Sequence, residues 1–568
     1  MIVPSPSVCL VLFLLLADVS LASEPVFYRR DGSASFPGVE VPHDFDGESG
    51  KHIRWKTPLP NWSNSSPIVD VGKVFLLSEP VASEGYAPIL HCIDADAGRE
   101  LWQRELDPVT CLPAGEQEEV RRFAKKTWAM LSRQYVLWSE AYLIWKEHQD
   151  AFDGWDKPPA ALAERWAAIR KEVEADGREF KEIKGGAGGP AAPFGRPRVP
   201  KQKPQKALRD LCLGMAAWRG FGTWLGVAYP TPVSHEGRVY VLTQHNHFVC
   251  YSHAGELIWQ RRFPKTDRRL LTEATRYRVP KDWRPECPGQ GGFSTAPIMA
   301  DGLLLSIAGQ MLRALDAKTG EPRWELPYPW AIGQWHCYPT LARVDGIAVM
   351  IAAGGTGKGF AGDERIRLND GISVGFLPNP VGGRGRCANI VIDDDLVVTN
   401  TPGANNKKKR ATVAYRLSWN ADRSAIVCTE VWRLENPKGF EVFKGSPWVD
   451  GQVHHPSGVL DLRSGTMVRS PGYKALGKSR GEYDCIVGRA YCGVDPKKGT
   501  FRFFDRKTGE ALGTGSLPVN PVDGKPAAHK QAEEFRMKEW RCLGAAKPFA
   551  VGKRLYFRSY DFLWCIAP

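Results

Sequence analysis

An all-β fold of repeated four-stranded sheets is the class that this 568-residue sequence predicts, on three observations. The first is the stretch Ser65 to Leu106. It holds three short apolar, β-branched runs, Pro67–Val69, Val74–Leu77 and Leu90–Ile93, then a fourth with Leu101 and Trp102, and Gly72 and Gly98 fall in the breaks. Runs of this length and alternation are strands joined by hairpins. The second is recurrence, at Tyr229–Phe263 and at Phe293–Leu326. The third is a spaced signature. Gly98, Gly255 and Gly320 each stand four residues before Trp102, Trp259 and Trp324, and Asp94 and Asp316 stand four before the first and third of these glycines. The glycine supplies the positive φ of a tight turn, and the aspartate caps that turn's amides. The tryptophan is large enough to wedge between adjacent sheets. Sheets of this size repeated along one chain close radially, as a β-propeller.

The elements follow in order. Residues 1–22 read as a signal peptide: the apolar run at 10–16 is followed by Ser20, Leu21 and Ala22 at a plausible cleavage site. The run is too short to span a bilayer, so the chain is expected in the periplasm or secreted, without a transmembrane segment. Residues 23–51 are Gly/Pro-rich and are expected to cross the surface as an extended arm. Residues 52–113 hold a strand around Trp55, placed as Trp102 is, and then the first complete blade. The tail from Pro548 to Pro568 supplies only three strands. The strand around Trp55 should therefore complete the last blade and latch the ring, which removes an open edge.

Blade starts fall near Ser65, Tyr229, Phe293, Tyr338, Ala388, Gly445, Asp484 and Lys547, which gives eight blades, with seven as the alternative count. The Gly/Trp signature blurs in the fourth and fifth, although Val431 and Trp432 read as a fourth strand. The sixth and seventh keep the aspartate and glycine at Asp461/Gly465 and Asp505/Gly509 without the tryptophan.

Residues 114–225 interrupt the repeats. Trp128, Leu131, Tyr135, Trp138, Tyr142, Trp145 and Phe152 follow steps of three and four, with only Gln149 breaking the stripe, as do Leu162, Trp166, Ile169 and Val173. That spacing makes an antiparallel helical hairpin with the aromatic stripe as its seam. The other reading is a partner-docking arm or a lid over one face. A basic Gly/Pro-rich loop, 185–206, follows it. Residues 226–568 hold the remaining blades.

The formal net charge is +13. In an exported chain this favours anionic surfaces or ligands over nucleic acid. Twelve of the thirteen cysteines lie beyond the signal peptide, and no C-x-x-C pair occurs, so neither a ribbon zinc site nor haem attachment is indicated. Cys485 and Cys492 flank the two-residue turn Gly488-Arg489 and should oppose each other across a hairpin, as a disulfide or as two buried thiols.

The signature carried by Ser66-Pro67, Gly72, Asp94-Ala95, Gly98 and Trp102, and again by Ala296-Pro297, Gly302, Asp316-Ala317, Gly320 and Trp324, resembles the pyrroloquinoline-quinone-like (PQQ-like) propeller repeat. The resemblance covers about residues 50–112 and 226–568 and leaves the helical insertion aside. It implies an eight-bladed propeller with tryptophan wedges. It also implies one of two activities. Quinoprotein dehydrogenases hold the quinone with calcium; non-catalytic scaffolds such as the outer-membrane barrel-assembly factor bind protein partners. The adjacent cysteine pair typical of the dehydrogenases does not occur here.

In such a ring the connections that precede the innermost strands share one face. They bring Trp62 with Asn64, Trp224, Trp335 with His336, Arg384 with Arg386, Lys444, and Trp540 with Arg541 towards one mouth. Aromatic rings and guanidinium groups there suit a planar or anionic ligand. The bland alternative is tryptophans packed between blades and solvated arginines. His245 and His247 alternate on one strand and so point to the same face, where two imidazoles could share a metal, but a third ligand is not evident. Asp393-Asp394-Asp395 reads as a solvated hairpin turn. The resulting expectation is an exported binding or scaffold module for an envelope protein partner or an anionic ligand, without a cofactor. The alternative is an alcohol or sugar dehydrogenase dependent on quinone (PQQ) and calcium.

Overall fold

Among the described residues eight sheets succeed one another along the chain, each a four-stranded antiparallel blade and one of them carrying an added fifth strand. The computed structural model describes residues 24–28, 30–80, 85–153, 157–175, 180, 227–263, 296–308, 311–327, 339–352, 364–377, 389–401, 411–435, 446–456, 458–468, 483–495, 498–518, 547–559 and 562–568. Blade 1 runs outward through Ile68–Asp70, Lys73–Ser78, Ile89–Asp94 and Glu100–Glu105. The innermost strands of blades 2 to 8 are Val233–His235, Ile298–Ala300, Thr340–Val344, Ile390–Ile392, Trp448–Val449, Cys485–Val487 and Phe549–Val551. Lys73–Ser78 is buried along nearly all its length, because a neighbouring blade covers each face. The outermost strand Glu100–Glu105 alternates between exposed and half-buried. That difference explains why middle strands read as continuous apolar runs and outer ones as charged alternations.

The ring is latched as the sequence predicts. Ile53–Pro58 pairs antiparallel with Phe562–Ile566, setting Trp55 against Cys565 and Lys56 against Trp564. Blade 8 thus takes its outer strand from one end of the chain and its other three from the other end.

Tryptophans join successive blades in a relay. The Nε1 of Trp55 donates to Ala95 O, that of Trp102 to His253 O, that of Trp259 to Ala317 O and that of Trp324 to Leu368 O. Trp432 repeats the contact with Leu462 O in blade 6. Each ring lies where a side chain would stand at the turn glycine of the following blade: Gly98, Gly255, Gly320, Gly371 and Gly465. The capping aspartates behave as expected. Asp94 Oδ1 accepts from the amides of Asp96 and Ala97, and Asp316, Asp461 and Asp505 do the same in their own turns.

Two blades have glycine where the relay has tryptophan, Gly375 and Gly513, four residues after Gly371 and Gly509. Other groups fill both gaps. Beside Gly375, buried Arg365 donates to Phe376 O and reaches across to Ile426 O and Cys428 Sγ of blade 5. Trp419 of blade 5 reaches back to Val344 O of blade 4. Beside Gly513 and Gly515 lie the backbone of His43 and the ring of Phe45, both from the N-terminal arm.

The arm therefore departs from the surface path expected for it. Val26 exchanges both backbone hydrogen bonds with Ser234 on the innermost strand of blade 2. Ser33 O accepts from Trp448 N in blade 6. Ser35–Phe36 pairs parallel with Cys485–Val487 as a fifth strand on the inner edge of blade 7. These partners are innermost strands, so the arm follows the inner edges of blades 2, 6 and 7 at Val26, Ser33 and Ser35–Phe36. The chain then passes Gly552 of blade 8, with Glu40 N donating to its carbonyl, and runs outward between blades 7 and 8. Phe36, Val39, Val41 and Phe45 are buried there with Phe501, Phe503 and Phe549. A Gly/Pro-rich composition gave no sign of this, because the signal is a handful of apolar residues without a period.

The insertion holds two helices, α1 (Ala114–His148) and α2 (Ala163–Ala175). They are joined by a bidentate ion pair from Arg165 to Glu140 at 2.6 and 2.7 Å. Their seam is aromatic: Trp145, Phe152, Trp166 and Phe180 meet edge to face in sequence. Helix α1 starts fourteen residues before Trp128, and its buried row begins at Val120 and Ala124, ahead of Trp128 and Leu131. Among the described residues no helix is long and apolar enough to cross a membrane.

Candidate functional site: the mouth face at blades 8, 1 and 2

Of the residues expected at the mouth, Trp62 and Asn64 are described. Trp224, Trp335, His336, Arg384, Arg386, Lys444, Trp540 and Arg541 lie outside the described residues. Trp62 is 2% exposed, so its ring is packed rather than offered to a ligand. Its carbonyl accepts from Glu79 N at 2.9 Å, and its amide donates to Asn61 Oδ1 at 2.9 Å. Asn61 Nδ2 in turn holds Pro80 O.

A set of small polar side chains, not singled out from the sequence, sews the rims of these blades together. Ser63 Oγ donates to Ala228 O at 3.0 Å and Ser65 Oγ to Pro230 O at 3.3 Å. Thr231 Oγ1 accepts from Ser66 N, and Ser66 Oγ accepts from Lys547 N, both at 3.1 Å. The visible signal was the recurring hydroxyl-proline step, Ser66-Pro67 and Thr231-Pro232. Beneath it lie two buried charges. Glu79 accepts from the amides of Val227 and Ala228 at 2.8 and 2.7 Å. Arg558 donates to Leu77 O, Asn61 O and Ser78 Oγ. Near the axis, Lys547 Nζ sits 4.3 Å from the Tyr483 ring and 5.9 Å from that of Tyr28 in the arm.

The insertion is seated on this face. Asp107 accepts from Tyr86 Oη at 2.7 Å, from Arg121 Nε of α1 at 2.8 Å and from Val109 N at 3.0 Å. Trp128 is buried beside the His245 ring, and His245 Nε2 lies 3.0 Å from Tyr86 O. Here the expectation of a shared histidine strand is corrected. His247 opens the strand His247–Ser252, whereas His245 lies in the preceding turn. The two rings turn to different partners, His245 to Tyr86 O and His247 to Gln260 Oε1 at 3.2 Å. Burial holds His247 down to a pKa of about 4, and Gln260 opposes that in part.

A serine, a histidine and an aspartate also meet between blades 1 and 2. Ser234 Oγ donates to Asp70 Oδ2 at 2.7 Å and lies 2.8 Å from His253 Nε2. Asp70 meets the serine directly instead of orienting the histidine from its far nitrogen, and Ser234 is fully buried beneath Val26. The grouping therefore lacks the order of a nucleophilic triad and an approach for a substrate. Asp393 and Asp395 are not simply solvated: they pair with Arg463 of blade 6 and Arg416 of their own blade.

A calcium-held quinone would need carboxylates free to turn to the metal. The buried carboxylates nearest this face are already committed, Glu79 to two amides and Asp484 to Tyr491 Oη and Val494 N. Among the described residues no three acids, histidines or cysteines gather as a metal site.

The family described as outer membrane protein assembly factor BamB matches residues 213–355. No curated protein matches the chain. Among solved structures the chain is similar to BamB from Moraxella catarrhalis, at 13% identity and a TM-score of 0.33, covering 58% of this chain and 90% of that one. It is also similar to a quinohemoprotein alcohol dehydrogenase from Comamonas testosteroni, at 10% identity and a TM-score of 0.41, covering 95% and 80%. The repeat signature, the eight latched sheets and the tryptophan relay make the chain an eight-bladed β-propeller, of which residues 213–355 match the PQQ-like family model.

Proposed function

We propose that this propeller is an exported, non-catalytic binding module. It takes a protein partner of the envelope, or an anionic ligand, on the mouth face beside the seated helices. One observation carries the reading. The arm pairs with the innermost strands of blades 2, 6 and 7 at Val26, Ser33 and Ser35–Phe36, along the inner edges where side chains from several blades would otherwise converge on a small cofactor. A ring lined in this way offers its outer faces for binding more readily than a central pocket. The net charge of +13 favours acidic partners through long-range attraction. The matched family is described as an assembly factor, which agrees with a partner-binding role.

The test is cross-linking of the full chain in envelope extract, with the linked peptides mapped. Cross-links to acidic proteins that cluster on residues 114–175 and 227–231, and that weaken with salt, are expected. Turnover of an alcohol or aldose by the purified chain with PQQ and calcium, lost on chelation, would overturn the reading in favour of a dehydrogenase.

A further inference from the structure

Cys485 and Cys492 are directly opposed across the innermost hairpin of blade 7. Both are buried, at 1% and 0% exposure, and both are free thiols. Burial, with Cys485 beside it, pushes the Cys492 thiol upward. Directly opposed residues of an antiparallel pair have Cα atoms about 4.5–5.5 Å apart, inside the range of about 4.4–6.8 Å that a disulfide spans. The same hairpin receives the arm. Cys485–Val487 pairs with Ser35–Phe36, and both cysteines share one apolar cluster with Phe36, Val39, Val41 and Phe45.

We propose that Cys485 and Cys492 close into a disulfide while the chain folds, and that the docked arm then seals it from reductant. The inference stands apart from what the mouth binds. It needs an external disulfide as oxidant, which an exported chain meets. One cysteine thiolate attacks a sulfur of that external disulfide, forming a mixed disulfide and expelling one thiolate. The second cysteine thiolate then attacks the protein-side sulfur, forming the intrachain bond and expelling the other. Two protein thiols are oxidised, one external disulfide is reduced to two thiols, and the two protons pass to the departing thiolates. Once Phe36 and Phe45 are packed, the buried pair is beyond the reach of a third thiol.

Trypsin separates the two cysteines, because Arg489 lies between them. The unfolded, reduced full chain is refolded in a mixture of reduced and oxidised glutathione, alkylated and digested. Peptides 481–489 and 490–497 are expected as one linked species that splits on reduction. Recovery of both as alkylated thiols, or of either joined to another cysteine, would overturn the pairing. For the seal, the oxidised folded chain is exposed to a phosphine reductant. Loss of the linked species is expected to be at least about tenfold slower than in Phe45→Ala, since access then requires local opening. Val39→Ala gives the same comparison if Phe45→Ala does not fold. Equal rates would overturn the sealing role.

Discussion

The ring of Trp259 occupies the place a side chain would need at Gly320 in the next blade, where a Cβ would come within 2.6 Å of the indole. The indole Nε1 also donates to Ala317 O at 3.0 Å. Gly320 has φ of +72°, so alanine there would be strained as well as crowded. Trp259→Ala should cost about 3–5 kcal/mol, as for a buried aromatic truncation. Gly320→Ala should cost about 2–3 kcal/mol from overpacking and backbone strain. The pair should be coupled, because removing the indole removes the collision. Urea midpoints of both single variants and the double variant test this. A double-variant loss equal to the sum of the single losses would mean that the two residues act independently.

Restoring the repeat signature in blade 7 should harm the protein. Gly513 stands at the tryptophan position of the relay, yet a Cβ there would lie 2.6 Å from His43 O. Gly513→Trp would have to expel the arm, and with it the Phe45 contacts to Phe501 and Phe503 at ring distances of 5.1 and 6.2 Å. The expected outcome is a loss of about 3 kcal/mol or more, read as a lowered thermal midpoint. A gain in stability would show that the arm does not hold that gap.

Val71 is the first residue of the two-residue turn Val71-Gly72, with φ of +43°, and it is 74% exposed. Blades 3, 4 and 6 place Asp301, Asp345 and Asp450 at the same point, each before a glycine. A β-branched side chain is poorly suited to the left-handed region, whereas Asn and Asp enter it readily. Val71→Asn should therefore stabilise the chain by about 0.5–1 kcal/mol, visible as a higher thermal midpoint. An unchanged or lower midpoint would count against the strain.

The ring was legible in the sequence because its signals are local and periodic. Asp94, Gly98 and Trp102 sit within nine residues, and each has one geometric task. Closure was legible for the same reason, since Trp55 repeats the place of Trp102 and the C-terminal tail lacks an outer strand. The arm was not legible. Phe36 and Phe45 are defined by what they fill, and the gap at Gly513 is 468 residues from Phe45 in the chain. The blurring of blade 4 had a comparable cause: Arg365 replaces an apolar wedge with hydrogen bonds, which no hydrophobic pattern records. At the mouth the sequence left two readings open, and the burial of Trp62 agrees with tryptophans packed between blades. The serines that join the rims carry little pattern beyond a following proline.

Acid should loosen the seat of the insertion, and His247 should account for part of it. Its ring is buried next to His245 and within the field of Asp107, with Gln260 Oε1 as its partner. Burial lowers its pKa to about 4, from an ordinary value of 6.5. Between those values the unfolded chain holds a proton on this ring that the folded chain does not. Stability therefore rises with pH across that window: the contribution is complete above pH 6.5 and fades as pH falls towards 4. For a shift of this size it amounts to at most about 3 kcal/mol. His247→Gln keeps a donor towards Gln260 but cannot titrate. The variant should lose about one proton from the slope of stability against pH between 6 and 4, while the steepness contributed by His454, also lowered to about 4, remains. Urea unfolding of wild type and variant at half-unit pH steps measures this. An identical slope in the two proteins would mean that His247 is hydrated and titrates alike in both states.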